Sequence, residues 1–140
     1  MKYIFITSLI LIFGLQPIIS QEIPYLSEAD FRDTVWNYEA NEDFKYEGDM
    51  PIILDFTAEW CRPCRLMAPF LDNIQKKYNG KIQIYKINDD IEKGLSKLFG
   101  IKYLPTLIFI EPNSDDYFKS VGYKDERQIK RLIKRKLNIR

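Results

Sequence analysis

The sequence predicts an α/β domain: a central mixed β-sheet with helices on its faces. Three observations predict it. Short apolar runs of strand length alternate with longer stripes of helical period along residues 27–137. The last two apolar runs are separated only by a turn, which adds an antiparallel hairpin to strands otherwise joined through helices. No internal repeat or low-complexity linker divides the chain, and 140 residues suit one domain with a full core.

Each element has its own signal. Ser27-Glu28-Ala29-Asp30 reads as a helix start capped by Ser27, and Phe31, Val35 and Tyr38 carry the helix to about Ala40. Asn41 to Asp49 is a polar connection holding Phe44 and Tyr46. Pro51 to Phe56 is a buried strand. Leu66, Phe70, Leu71, Ile74 and Tyr78 form a helical stripe ended by Asn79-Gly80. Ile82, Ile84 and Ile87 mark a second strand. Ile91 to Phe99 is a short helix closed by Gly100, and Thr106 to Ile110 a third strand. Pro112-Asn113-Ser114 is a turn, Tyr117 to Val121 a fourth strand broken by Gly122, and Ile129, Leu132, Ile133 and Leu137 a final amphipathic helix. The alternation of strands and helices implies parallel pairing, with the fourth strand alone antiparallel.

Residues 1–20 read as a secretory signal peptide and 21–140 as the domain. Lys2 precedes the apolar run Ile4 to Leu15, which is short of the ~20 residues that span a bilayer. Cleavage is expected after Ser20, although Ile18 is not the small residue preferred three positions earlier; the alternative is an uncleaved anchor. The expected location is the bacterial periplasm or the exterior, where disulfides persist. The net charge is only +1, but residues 21–50 are strongly acidic and residues 119–140 strongly basic. The basic end reads either as a docking patch or as a solvated helix face.

Composition narrows the chemistry. With no histidine there is no Ser-His-Asp or Cys-His catalysis, and two cysteines cannot complete a four-thiolate metal site. The near-neutral charge argues against nucleic acid as a partner. What remains is chemistry carried by the cysteines. Cys61-Arg62-Pro63-Cys64 follows the first strand directly and opens a helix. Unpaired N–H groups and partial positive charge there favour a thiolate on Cys61, and Pro63 fits a first turn where a missing N–H is harmless. Cys61 is therefore the expected exposed nucleophile and Cys64 the deeper, resolving thiol. A structural bridge is the alternative, but so small a loop adds little stability.

The stretch Asp55-Phe56-Thr57-Ala58-Glu59-Trp60-Cys61-Arg62-Pro63-Cys64 through Pro69 resembles the active-site segment of thioredoxins. Phe99-Gly100-Ile101-Lys102-Tyr103-Leu104-Pro105-Thr106-Leu107 resembles their second signature, a loop with a cis-proline. The likeness covers roughly residues 24–138. It implies the thioredoxin fold and a thiol–disulfide oxidoreductase, read here as a protein disulfide reductase exchanging through Cys61 and Cys64 and, from residues 1–20, as exported. Asp55 then falls where the family keeps a buried acid beside the resolving sulfur, and a lone carboxylate within Ile52–Phe56 is independently costly unless it works or is paired. Burial would raise its pKa and suit it to take the Cys64 proton. Lys86 matches the lysine near that acid; a solvent-facing strand lysine is the alternative.

The resemblance further implies that Pro105 is cis, setting the Leu104 backbone beside Cys61 to pair with an extended substrate. It places Trp60 on the surface beside the nucleophile, Gly122 where a groove must stay open, and Pro69 as a kink. Two positions depart from the pattern. Arg62 stands for a glycine and would make the disulfide a modestly stronger oxidant; Thr57 stands for an aromatic residue. No metal or organic cofactor is implied. The expected partners are protein disulfides and a membrane-bound dithiol electron donor, with the protein itself a monomer. The alternatives are a disulfide-donating oxidase or isomerase, and a non-catalytic binding module on the same fold.

Overall fold

The computed structural model describes residues 22–139. The signal-peptide reading of residues 1–20 lies outside the described residues. Eight elements follow one another: α1 (Glu28–Thr34), β1 (Ile52–Thr57), α2 (Arg62–Lys77), β2 (Gln83–Asn88), α3 (Lys93–Leu98), β3 (Thr106–Ile110), β4 (Phe118–Val121) and α4 (Glu126–Lys136). Their order matches the one read from the sequence, and together they form a four-stranded mixed sheet flanked by helices, in the order β2-β1-β3-β4.

Strand alternation sorts the core into two faces. Ile53, Leu107 and Phe109 point to the face covered by α2 and α4, where Met67, Leu71, Ile74, Ile129 and Ile133 meet them. Ile52, Leu54, Phe56, Ile108 and Ile110 point to the other face, against Phe31, Val35, Leu95 and Phe99. Asp55, two residues after Ile53, therefore lies on the α2 side. One buried polar side chain locks α2 to β2: the Gln75 amide donates to the Ile82 carbonyl at 3.0 Å and accepts from the Ile84 N–H at 2.7 Å. Both groups are satisfied, as burial demands.

Two details differ from the sequence reading. β1 pairs parallel with β2 but antiparallel with β3, with Asp55 opposite Leu107, so only one pair in the sheet is parallel. The connection from β2 passes over β1 through α3, and Gly100–Pro105 then turn the chain so that β3 runs opposite to both; period-2 patterning carries no information about strand direction. α1 also ends at Thr34, not near Ala40. The Thr34 hydroxyl donates back to the Asp30 carbonyl at 2.6 Å, and the Asn37 side chain accepts from the N–H groups of Glu39 and Ala40, turning the chain. Tyr38 still reaches Phe31, with ring centroids 6.4 Å apart, but from this turn rather than from the helix.

The first and last described segments add further cover. Residues 24–26 lie along the free edge of β2: the Lys86 N–H donates to the Pro24 carbonyl at 2.9 Å and the Leu26 N–H to the Lys86 carbonyl at 2.8 Å. Ser27 caps α1 as expected, accepting from the Asp30 N–H, and Gly80 follows α2 with φ +72°. α4 begins with a reciprocal capping box between Asp125 and Gln128.

Candidate active site

The end of β1 delivers the chain to the start of α2, and the two cysteines stand at that junction. Cys61 is the N-cap of α2, and its sulfur accepts from the Cys64 N–H at 3.3 Å. Arg62 and Pro63 fill the first turn, both exposed. Cys61 and Cys64 form a disulfide with a Cα–Cα distance of 5.3 Å. The helix end thus aims an N–H and a partial positive charge at the first sulfur, the arrangement that favours its thiolate once the bond is reduced.

Both cysteines are covered in this state, Cys61 at 3% and Cys64 at 4% exposure. This corrects the expectation of an exposed Cys61. The N-cap position turns its side chain under the helix start, the bond to Cys64 holds it there, and Ala58 and Leu104 pack over the pair.

Beneath the pair lies the acid. Asp55 is 3% exposed, and its Oδ1 has no hydrogen-bond partner. Burial raises its pKa to about 7, and the charge of Lys86 only partly offsets that rise. Lys86 sits opposite Asp55 in the β1–β2 register, with its amine 6.0 Å from the centre of the Tyr25 ring. A cleft of about 220 Å³ is lined by Asp55, Cys64, Lys86, Tyr25, Glu59 and Arg65, so the acid and the second sulfur share one small opening.

Above the pair the surface is open and apolar. Trp60 is 67% exposed, and its indole N–H donates to Asp90 at 2.9 Å. The Leu104–Pro105 bond is cis, as the resemblance implied. Gly122 adopts φ +86°, and a Cβ built there would meet nothing within 4 Å. Its N–H donates to the Pro105 carbonyl at 2.8 Å, which ties the β4–α4 turn to the proline loop. Leu104, the Trp60–Cys64 segment and Gly122 thus come from three separate stretches of chain.

The candidate site residues fall in this region, whereas Pro69 lies further along, inside α2. Four neighbours had no signal of their own. Tyr25 and Glu59 frame the cleft, Asp90 holds Trp60, and Lys124 braces the Gly122 turn. Tyr25 precedes the first recognisable element, and Asp90 stands among other acids after β2, so local pattern could not mark either.

The thioredoxin family model matches residues 26–135. Thioredoxin of Borreliella burgdorferi is 37% identical over 109 residues, 78% of this chain and 92% of that protein. Thioredoxin of Haemophilus influenzae is 34% identical over 112 residues, covering 80% and 94%. The solved structure of chloroplastic thioredoxin z superposes with a TM-score of 0.66 at 24% identity, covering 81% of this chain and 93% of the other, a likeness of fold. With its sheet, its two-cysteine helix start and these relatives together, the chain belongs to the thioredoxin family and is a thiol–disulfide oxidoreductase acting on protein disulfides.

Proposed function

We propose that this oxidoreductase works as a disulfide reductase outside the cytoplasm. Reduced Cys61 attacks one sulfur of a substrate disulfide as a thiolate. A mixed disulfide forms, and the first substrate sulfur leaves and takes up a proton. Asp55 accepts the Cys64 proton, and the Cys64 thiolate attacks the Cys61 sulfur. The second substrate thiol leaves, and two electrons have passed from the dithiol to the substrate. Arg62 and Pro63 tune the pair from the first turn, and Lys86 holds the Asp55 pKa within reach of neutral pH. Trp60, Leu104, Pro105 and Gly122 form the groove that receives the substrate backbone.

The observation that supports this reading best is the unpartnered, buried Asp55 in the same cleft as Cys64. A carboxylate left without a hydrogen bond is destabilising, and such groups concentrate where protons move. On this proposal the protein acts as a monomer and draws its electrons from a dithiol protein in the membrane, a role supported by the basic residues in the last turn of α4. It needs no metal or organic cofactor, since the two sulfurs carry the electrons.

Insulin-disulfide reduction tests the reading. The wild type is active, Cys61→Ser is inert, and Cys64→Ser accumulates a mixed disulfide at Cys61. Equilibration against a glutathione series gives the direction of flow. A potential close to that of ordinary thioredoxins, about −270 mV, fits a reductase. One near about −120 mV, where strong disulfide donors lie, assigns the protein to oxidation instead.

A further inference from the structure

Lys124 lies just beyond β4 and makes no ion pair with a carboxylate among the described residues. Its amine instead donates to three consecutive backbone carbonyls: Val121 at 2.7 Å, Gly122 at 3.0 Å and Tyr123 at 3.5 Å. An ammonium has three donors, and here three acceptors meet it. The side chain is half-buried, and desolvation lowers its pKa below the ordinary lysine range. Taking a charge out of water is unfavourable unless the bonds it gains are good ones.

Lys119 offers a contrast within the same hairpin. Its amine donates to the Phe99 and Gly100 carbonyls at 2.6 and 3.4 Å, just past α3, where a lysine capping a helix C-terminus is ordinary. The carbonyls that Lys124 meets belong to no helix. They form the turn that carries Gly122, whose N–H bonds the Pro105 carbonyl.

We propose that Lys124 is a positioning residue for substrate binding: its ammonium gathers the Val121–Tyr123 carbonyls and so holds Gly122 against Pro105, fixing the width of the groove beside the disulfide. The proposal rests on the groove reading given above. It assigns Lys124 no contact with the reacting sulfurs. It binds extended peptide disulfides through the groove it braces, and small disulfides without a backbone are indifferent to it.

The test uses Lys124→Met, which keeps the aliphatic stem and loses the donors, and Lys124→Arg, which restores donors. A disulfide-linked peptide and hydroxyethyl disulfide are the two substrates. For the peptide, Lys124→Met raises KM about tenfold with kcat unchanged, and Lys124→Arg recovers most of the loss. For hydroxyethyl disulfide, neither variant changes kcat/KM. An unchanged peptide KM in Lys124→Met overturns the proposal. So does an equal loss on both substrates accompanied by a lower Tm, which would make Lys124 a plain structural brace. A peptide N-methylated beside its cysteine separates the two layers. If methylation leaves the wild-type KM unchanged, the groove reading itself fails and takes the proposal with it. If methylation weakens binding but Lys124→Met does not, Lys124 alone is wrong.

Discussion

The disulfide has two sides built on opposite principles. Below it, toward β1 and β2, the chain is closed: Asp55 is 3% exposed, lacks a partner for Oδ1, and reaches solvent through one cleft. Above it, toward the proline loop, the chain is open: Trp60 is 67% exposed, Tyr103 is 69% exposed, and Gly122 leaves space where a side chain would be. On the proposed reading, the closed side tolerates an unfavourable group because that group is to take a proton there. On the same reading, the open side offers backbone polar atoms to a substrate backbone. Changes below should therefore alter pH dependence, and changes above should alter substrate affinity.

The largest effect is expected from Asp55→Asn. With a pKa near 7, Asp55 is the base form above about pH 7 and the acid form below it. In the wild type the release of the second substrate thiol, followed by stopped flow, rises with pH through about 7 and then levels. In the variant that step is slower on the order of a hundredfold at pH 8 and loses the inflection. A variant that keeps both rate and inflection would remove Asp55 from the proton path. Stability moves the other way. The folded-state pKa is raised from 3.8 to about 7, so the folded state binds the proton more tightly. The contribution of Asp55 to wild-type stability therefore falls as pH rises from about 4 to about 7, by on the order of 4 kcal/mol, and then stays level. Urea unfolding across this range should show the decline in the wild type and not in Asp55→Asn.

Lys86→Gln is a milder break of the same side. Lys86 is the group that draws the Asp55 pKa down against the effect of burial. Without it the midpoint of the thiol-release profile moves about one unit toward alkaline pH, while the plateau rate above it is retained. The KM for protein disulfides stays as in the wild type, because Lys86 lies on β2 below the disulfide. A midpoint that does not move would make Lys86 a solvent-facing strand residue and nothing more.

Much of both sides was legible in the sequence, for a physical reason. Short-range patterns report on the chain's own neighbours. The carboxylate inside Ile52–Phe56 announced a buried acid, and Cys61-Arg62-Pro63-Cys64 announced a helix start, because burial and helix geometry act within a few residues. Contacts between distant segments left no such trace. The antiparallel course of β3 depends on how Gly100–Pro105 turns, and the seating of Tyr25 over Lys86 depends on residues 24–26 lying along the β2 edge. The burial of Cys61 depends on Leu104 arriving from more than forty residues away, as the numbering shows. The same limit hid Asp90 and Lys124, whose roles exist only once Trp60 and the Gly122 turn are in place.

The smallest expected effect sharpens the open side. Asp90 accepts from the Trp60 indole at 2.9 Å, and both residues are exposed. An exposed hydrogen bond is worth little in net stability, about 0.5–1.5 kcal/mol at most, so Asp90→Ala should leave the fold intact. What it removes is the restraint on the indole beside Cys61. A freer Trp60 loses rotamer freedom only on binding, and the affinity falls by that amount. The KM for a protein disulfide should rise about two- to threefold with kcat retained. The pH midpoint assigned to Asp55 should not move, because Asp90 lies outside the cleft that Asp55 shares with Cys64. A shift of that midpoint in Asp90→Ala would mean that the two sides of the disulfide are electrostatically joined, and that closure below does not isolate the acid from charges at the rim above.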